Sequence, residues 1–124
     1  MSLKNRKSLG DSGEQVAASY LRANGYKIIA QKWRGTRFEI DIIAQKGKGL
    51  FFIEVKTARQ TNLGPPQVKV DPGKQKRIGE CALEFLAQSG LEPEDIRFDV
   101  IAIIWNEAKP PLINHIEGAF VMDE

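Results

Sequence analysis

The stretch Leu50-Phe51-Phe52-Ile53-Glu54-Val55-Lys56 constrains this chain more than any other feature. Its residues favour strands, and both alternating faces are apolar until Glu54. A strand that is hydrophobic on both faces belongs in the middle of a sheet covered on both sides. Glu54 and Lys56 then follow on the face of Leu50 and Phe52. Charge near the end of a buried strand is costly unless something compensates it. A metal ion and a paired lysine are suitable compensation.

Short-range signals place the other elements. A helix is expected over residues 13–24, with Asp11 or Ser12 as its cap and Glu14 or Gln15 closing a capping box. Its apolar stripe is Ala17, Ala18 and Leu21, and Asn24-Gly25 supplies a left-handed stop. Strands are expected over residues 26–33, 37–45 and 50–57. The turn-rich Gly35-Thr36 and Lys46-Gly47-Lys48-Gly49 join them into an antiparallel meander. Residues 58–71, containing Gly64-Pro65-Pro66, read as a loop of a length often used for function. Asp71-Pro72 is an N-cap followed by proline at the first helical position. A second helix therefore runs from there to about Gln88, with Ile78, Cys81, Ala82, Phe85 and Leu86 as its stripe. A fourth strand over residues 96–105 and a short fifth around residues 112–116 complete the order αβββαβ(β). The expected class is α/β, with a mixed central sheet flanked by helices. Residues 1–10 read as a flexible leader and residues 11–124 as one domain, large enough to fold without disulfides.

The chemistry-bearing residues converge through the second turn. With residues 46–49 as the turn, Gln45 faces Leu50, and Asp41 falls opposite Glu54. Alternation puts Phe38, Ile40, Ile42 and Ala44 on one face and Glu39, Asp41 and Ile43 on the other. Directly opposed residues lie roughly 5 Å apart at Cβ. Two carboxylates so close repel each other, and a cation removes the repulsion. Hard oxygen ligands suit Mg²⁺ or Mn²⁺ rather than zinc. Such an ion polarises a phosphodiester and lowers the pKa of its bound water. Lys56 is placed to orient that water or to offset charge developing on the phosphate. Glu14, on the core side of the first helix, is a third candidate ligand. Lys74, in the first turn of the second helix, opposes the helix dipole and so calls for a negative partner, a phosphate among them.

Plainer readings stand beside these. Glu14 can simply close a capping box with Asp11. Lys74 can be a solvated lysine, and Glu54 with Lys56 a same-face ion pair. Glu39 reads as a surface or supporting carboxylate. Asp99, in an apolar strand, reads as a structural partner of Arg97 or Lys74. His115 has no His or Cys companions, and Cys81 lies on a packed stripe. Trp33 and Trp105 read as core or rim.

Charge is segregated along the chain. Residues 1–45 carry 8 Lys/Arg against 4 Asp/Glu, residues 46–77 carry 8 against 2, and residues 78–124 carry 2 against 10. A positive face suits a polyanion even though the whole chain is only +2. Lys74, Lys76, Arg77 and Arg59 are the residues expected to meet nucleic acid. The single cysteine excludes an internal disulfide and fits a reducing compartment. No run approaches the ~18 apolar residues of a membrane span. The first ten residues lack the apolar core of a signal peptide, so a cytoplasmic location is expected.

Gly13-Glu14, Glu39-Ile40-Asp41-Ile42-Ile43 and Phe52-Ile53-Glu54-Val55-Lys56-Thr57 together resemble the YraN-like family of predicted endonucleases. Lys74 with Arg77-Ile78, Arg97-Phe98-Asp99-Val100, His115-Ile116 and Ala119-Phe120 extend the resemblance in order along the chain. That family is placed in the PD-(D/E)XK, restriction-endonuclease-like superfamily, which includes Holliday-junction resolvases. The resemblance implies an αβββαβ core and a metal site. It matches Asp41 and Glu54 to the metal carboxylates, Lys56 to the catalytic lysine and Glu14 to the helix carboxylate of resolvase-like members. Phe38 stands where the family usually has glycine, and Ala58 separates Thr57 from Arg59 where an arginine usually follows closely.

The sequence therefore predicts an Mg²⁺- or Mn²⁺-dependent endonuclease acting on DNA more readily than RNA, on branched or single-stranded forms among others. Resolvase-like relatives act as dimers, so a homodimer is a further expectation by analogy. A nucleic-acid-binding module that keeps the fold without catalysis is the rival expectation.

Overall fold

A computed structural model describes residues 3–60, 69–106 and 109–122, with side chains from Ser12 onward. The elements are α1 (Leu3–Ala23), β1 (Lys27–Arg34), β2 (Glu39–Lys46), β3 (Gly49–Arg59), α2 (Pro72–Ser89), β4 (Asp95–Asn106) and β5 (Lys109–Phe120). They form one five-stranded sheet in the order β1-β2-β3-β4-β5. Only β3 and β4 run parallel; the other neighbours are antiparallel. This is the mixed, helix-flanked α/β sheet that the element order predicts. Gly64-Pro65-Pro66 and the rest of residues 61–68 lie outside the described residues.

β3 is central because its residues demand it. Phe51 and Ile53 pack toward α1 with Ala17, Ala18, Leu21, Ile42, Ala44, Ile101 and Ile103. Leu50 and Phe52 pack on the opposite side with Ile43, Ile78, Cys81, Ala82, Phe85 and Phe98, beneath α2. Each helix thus closes one face of the sheet, and the parallel β3–β4 pair requires the α2 crossover between them. No helix among the described residues is long and apolar enough to cross a membrane.

Local signals act where expected at α2. Asp71 accepts a hydrogen bond from the Lys74 amide at 3.0 Å, and proline occupies the first turn. At the end of α1, Gly25 takes φ +86°, and the Tyr26 amide returns to the Leu21 carbonyl at 2.9 Å.

Three expectations change. α1 begins at Leu3, ahead of the expected Gly13, so Asp11 and Ser12 lie inside the helix rather than at its start. The added turns contain the helix formers Leu3, Lys4, Arg6 and Lys7, and an internal Gly10 costs only about 1 kcal/mol. Second, Ile40 does not share the surroundings of Ile42 and Ala44; with Phe38 it packs into the α2 cluster. The β2–β3 ladder ends at Ile42–Ile53, and beyond it nothing holds the alternation of β2 in step with β3. Third, β5 spans 12 residues, more than expected. Pro110 and Pro111 lower its strand signal, yet an edge strand tolerates proline.

Candidate metal and nucleic-acid site

The turn between β2 and β3 sets the site. Gln45 pairs with Leu50 and Ile42 with Ile53, the register that the turn length dictates. The next pair would be Asp41 with Glu54, and there the ladder stops. Instead, the Val55 amide donates to Asp41 Oδ2 at 2.8 Å. The Asp41 side chain replaces a backbone partner at the fork where β2 leaves β3.

The third carboxylate arrives from α1. A Cβ on Gly13 would lie 2.5 Å from Thr57 Oγ1, so only glycine lets α1 settle this closely on β3. The next residue, Glu14, consequently reaches Asp41. Asp41 lies close enough to Glu14 and Glu54 for their like charges to act on one another.

Electrostatics follow from that crowding. Burial, followed by the charge of Glu14, pushes Asp41 up to about 6, against the opposing Val55 hydrogen bond. Burial and the Asp41 charge likewise raise Glu54, while Lys74 and Lys56 act against the shift. Glu54 is only 9% exposed, and Lys74 Nζ stands 2.5 Å from its Oε1. Lys74 therefore has the negative partner its helix position calls for, and that partner is Glu54. Lys56 is half-buried and close enough for its charge to act on Glu54.

Among the described residues, no group of three or more His, Cys, Asp or Glu side chains is already gathered in ion-coordinating geometry. The Val55 amide engages Asp41 Oδ2, and Lys74 engages Glu54 Oε1.

The remaining nucleic-acid candidates do not cluster with the carboxylates. Arg59 is exposed at the end of β3, beside Trp105 of β4. Lys76 lines a separate cavity with Leu83, Val121 and Met122. Arg77 stands with its guanidinium carbon 5.8 Å from the centroid of the Phe38 ring.

Lys32 escaped the sequence reading. Its Nζ lies 3.7 Å from Glu14 Oε2, and its backbone takes φ +50° between the paired residues Gln31 and Trp33. No periodicity marks a lysine on an irregular stretch of strand, so no local signal would have found it.

The sequence also understated a second polar cluster, on the α1 side of the sheet. Asp99 is wholly buried and receives Arg97 Nε at 2.8 Å, Arg97 Nη2 at 2.9 Å and the Gly118 amide at 3.0 Å. His115 Nε2 lies 2.7 Å from Asp99, and Tyr20 Oη lies 2.9 Å from His115 Nδ1. Burial acts to raise Asp99, but hydrogen bonds from His115, Arg97 and Gly118 outweigh it and hold the carboxyl below its ordinary range. Of the two partners expected for Asp99, the structure selects Arg97.

The family model for UPF0102, an uncharacterised protein family, matches residues 13–103. The chain belongs to the UPF0102 family. The matched span starts at Gly13 and includes Glu14, Asp41, Glu54, Lys56 and Lys74. A UPF0102 protein of Geotalea uraniireducens (strain Rf4) is 44% identical over 116 residues, covering 94% of this chain and 91% of that protein. Another, from Rhodococcus jostii (strain RHA1), is 42% identical over 113 residues, 91% of this chain and 96% of that protein. Among solved structures, Pyrococcus furiosus SfsA in complex with Ca²⁺ is similar at TM-score 0.44 and 13% identity. That match covers 94% of this UPF0102 chain and 65% of the SfsA chain, just under two thirds of its length.

Proposed function

We propose that this UPF0102 chain is a metal-dependent phosphodiesterase of the PD-(D/E)XK type, cleaving nucleic acid and DNA foremost, branched or single-stranded forms included. One observation carries the reading: Glu14, Asp41 and Glu54 converge where β2 parts from β3, with Lys56 and Lys74 beside them. Partly buried carboxylates are held near one another against their own repulsion, and a divalent cation would relieve it. The donors are hard oxygens, so Mg²⁺ or Mn²⁺ fits them. Asp41 and Glu54 would hold the ion, with Glu14 as the third carboxylate. When bound, the ion would supply Lewis-acid polarisation of the phosphodiester and a water of lowered pKa.

The chain's own residues supply the rest. Lys56 would orient the attacking water or oppose charge building on the phosphate. Lys74 would exchange Glu54 for a phosphate oxygen once that carboxylate turns to the cation. The basic residues of 46–77 would follow the backbone of the substrate.

The test is cleavage of linear, single-stranded and four-way-junction DNA with Mg²⁺ or Mn²⁺, by the parent and by Asp41→Asn and Glu54→Gln. Cleavage by the parent that both variants lose is the expected result. Cleavage that survives in both variants rules this site out. The rival reading, binding without catalysis, draws on the Lys74–Glu54 ion pair, which already neutralises one carboxylate without a metal. Parent protein that binds these substrates and cuts none with either metal would establish the rival.

A further inference from the structure

A cavity of about 270 Å³ lies between the β1–β2 turn and the exposed side of α2. Thr36, Arg37, Phe38, Arg77, Glu80 and Glu84 line it. The turn is fastened to the helix, so the cavity is preformed. Glu84 accepts the Thr36 amide at 3.0 Å and also the Thr36 hydroxyl, and Cys81 Sγ donates to the Phe38 carbonyl at 3.3 Å.

Its position relates it to the carboxylates. Phe38 precedes Asp41 by three residues, and Arg77 follows Lys74 by three on α2. Three helical residues advance about 5 Å along the axis. Lys74 in turn holds Glu54. The cavity therefore lies three residues along the chain from Asp41 and three along α2 from Lys74.

We propose that this cavity is a subsite for a single unstacked nucleobase next to the phosphate at the carboxylate site, and that guanine is the base it takes best. The proposal rests on the nucleic-acid reading above. The volume is below the ~300–1,000 Å³ of pockets for drug-sized ligands, a scale that suits one base. The half-buried Phe38 ring with the Arg77 guanidinium beside it offers a stacking platform of the kind that holds single-stranded bases. Two carboxylates in the lining disfavour a phosphate inside, which leaves Arg37 and Arg77 at the rim for the backbone. Glu84 is already occupied by Thr36, so Glu80 is the carboxylate left to read the base. A carboxylate that accepts from guanine N1–H and N2–H makes two charge-assisted hydrogen bonds; hypoxanthine offers one, and adenine has no such edge. A base within an intact duplex is stacked on both faces and cannot enter. The substrate must therefore be unpaired there, by single-strandedness, fraying or extrusion.

The experiment is fluorescence anisotropy of the full chain with labelled oligothymidylates in EDTA, where metal-dependent cleavage is off. Each carries one central guanine, hypoxanthine or adenine, and an all-thymine strand serves as reference. The guanine strand is expected to bind about tenfold more tightly than the others. Glu80→Gln should erase that preference, so that the guanine strand binds no more tightly than the all-thymine strand. Equal binding of all strands by the parent, or a preference that survives Glu80→Gln, overturns the subsite and leaves the nucleic-acid reading intact. No binding of any strand overturns the subsite, and the nucleic-acid reading then stands or falls on the cleavage test with Mg²⁺ or Mn²⁺.

Discussion

Asp99 on β4 and Asp41 on β2 flank the central strand β3 of one sheet, and their surroundings push them in opposite directions. Asp99 is the more buried, yet its carboxyl is held below the ordinary range by Arg97, His115 and Gly118. Asp41 retains some exposure, yet it is pushed up to about 6, because burial is joined by the charge of Glu14. Burial alone therefore does not set the charge state; the signs of the neighbours do. The Asp99 cluster reads as a fastener that ties β5 and α1 to β4. In the Asp41 cluster, like charges stand close together with partial burial, the arrangement from which the proposed cation site is argued.

Removing Asp99 should have the largest effect on stability. Asp99→Ala strips Arg97 and the Gly118 amide of their acceptor and should cost about 3–5 kcal/mol in urea unfolding. A loss below about 1 kcal/mol would show that the cluster is not a fastener. Cation binding comes next. Mn²⁺ at about 100 times its Kd should raise the unfolding free energy of the parent by about 2.7 kcal/mol and leave Asp41→Asn unmoved. An equal gain in both proteins would place the ion elsewhere.

Gly13→Ala tests how Glu14 is delivered. Alanine gains about 1 kcal/mol of helix propensity, whereas overpacking against Thr57 costs about 1–3 kcal/mol. The clash should win, or α1 should shift and draw Glu14 away from Asp41. Mn²⁺ affinity should then fall, and adding Thr57→Ala should restore it. Unchanged affinity in Gly13→Ala would remove Glu14 from the ion's ligands.

The smallest effect is in the pH profile. Asp41 and Glu54 have raised folded-state pKa values, so their contribution is fully present below the unfolded value. It is lost as pH rises through about 6, the folded value of Asp41. Asp99 behaves oppositely: its contribution is present above its unfolded value and is lost only in acid, as pH falls through its depressed folded value. Metal-free Asp41→Asn should therefore be more stable than the parent at neutral pH, by about 1–2 kcal/mol. That advantage should shrink toward about pH 4. A variant less stable than the parent at neutral pH would contradict the repulsion between these carboxylates.

Much of this arrangement was legible in local chemistry. The apolar run ending in Glu54 and Lys56 demanded a central strand, and β3 is central. The glycine-rich turn dictated the pairing of Gln45 with Leu50 and of Ile42 with Ile53, although the ladder stops before Asp41 and Glu54. Asp71-Pro72 announced the start of α2. These signals act over a few residues, through backbone preference and side-chain alternation. The start of α1 was misread because Asp11-Ser12 carries a capping signal that a longer helix overrides.

Contacts across the molecule were decided by packing alone. Gly13 lets α1 approach Thr57, the end of the ladder frees Asp41 to meet Val55, and α2 brings Lys74 to Glu54. The same holds for His115, which finds Asp99 across the β4–β5 pair. By itself the sequence determined which elements form, how β2 and β3 align, and that acid and lysine end a buried strand. Only the tertiary structure decided which acids repel and which are satisfied. That depends on distances between residues far apart in the chain, set by how closely two helices settle on one sheet.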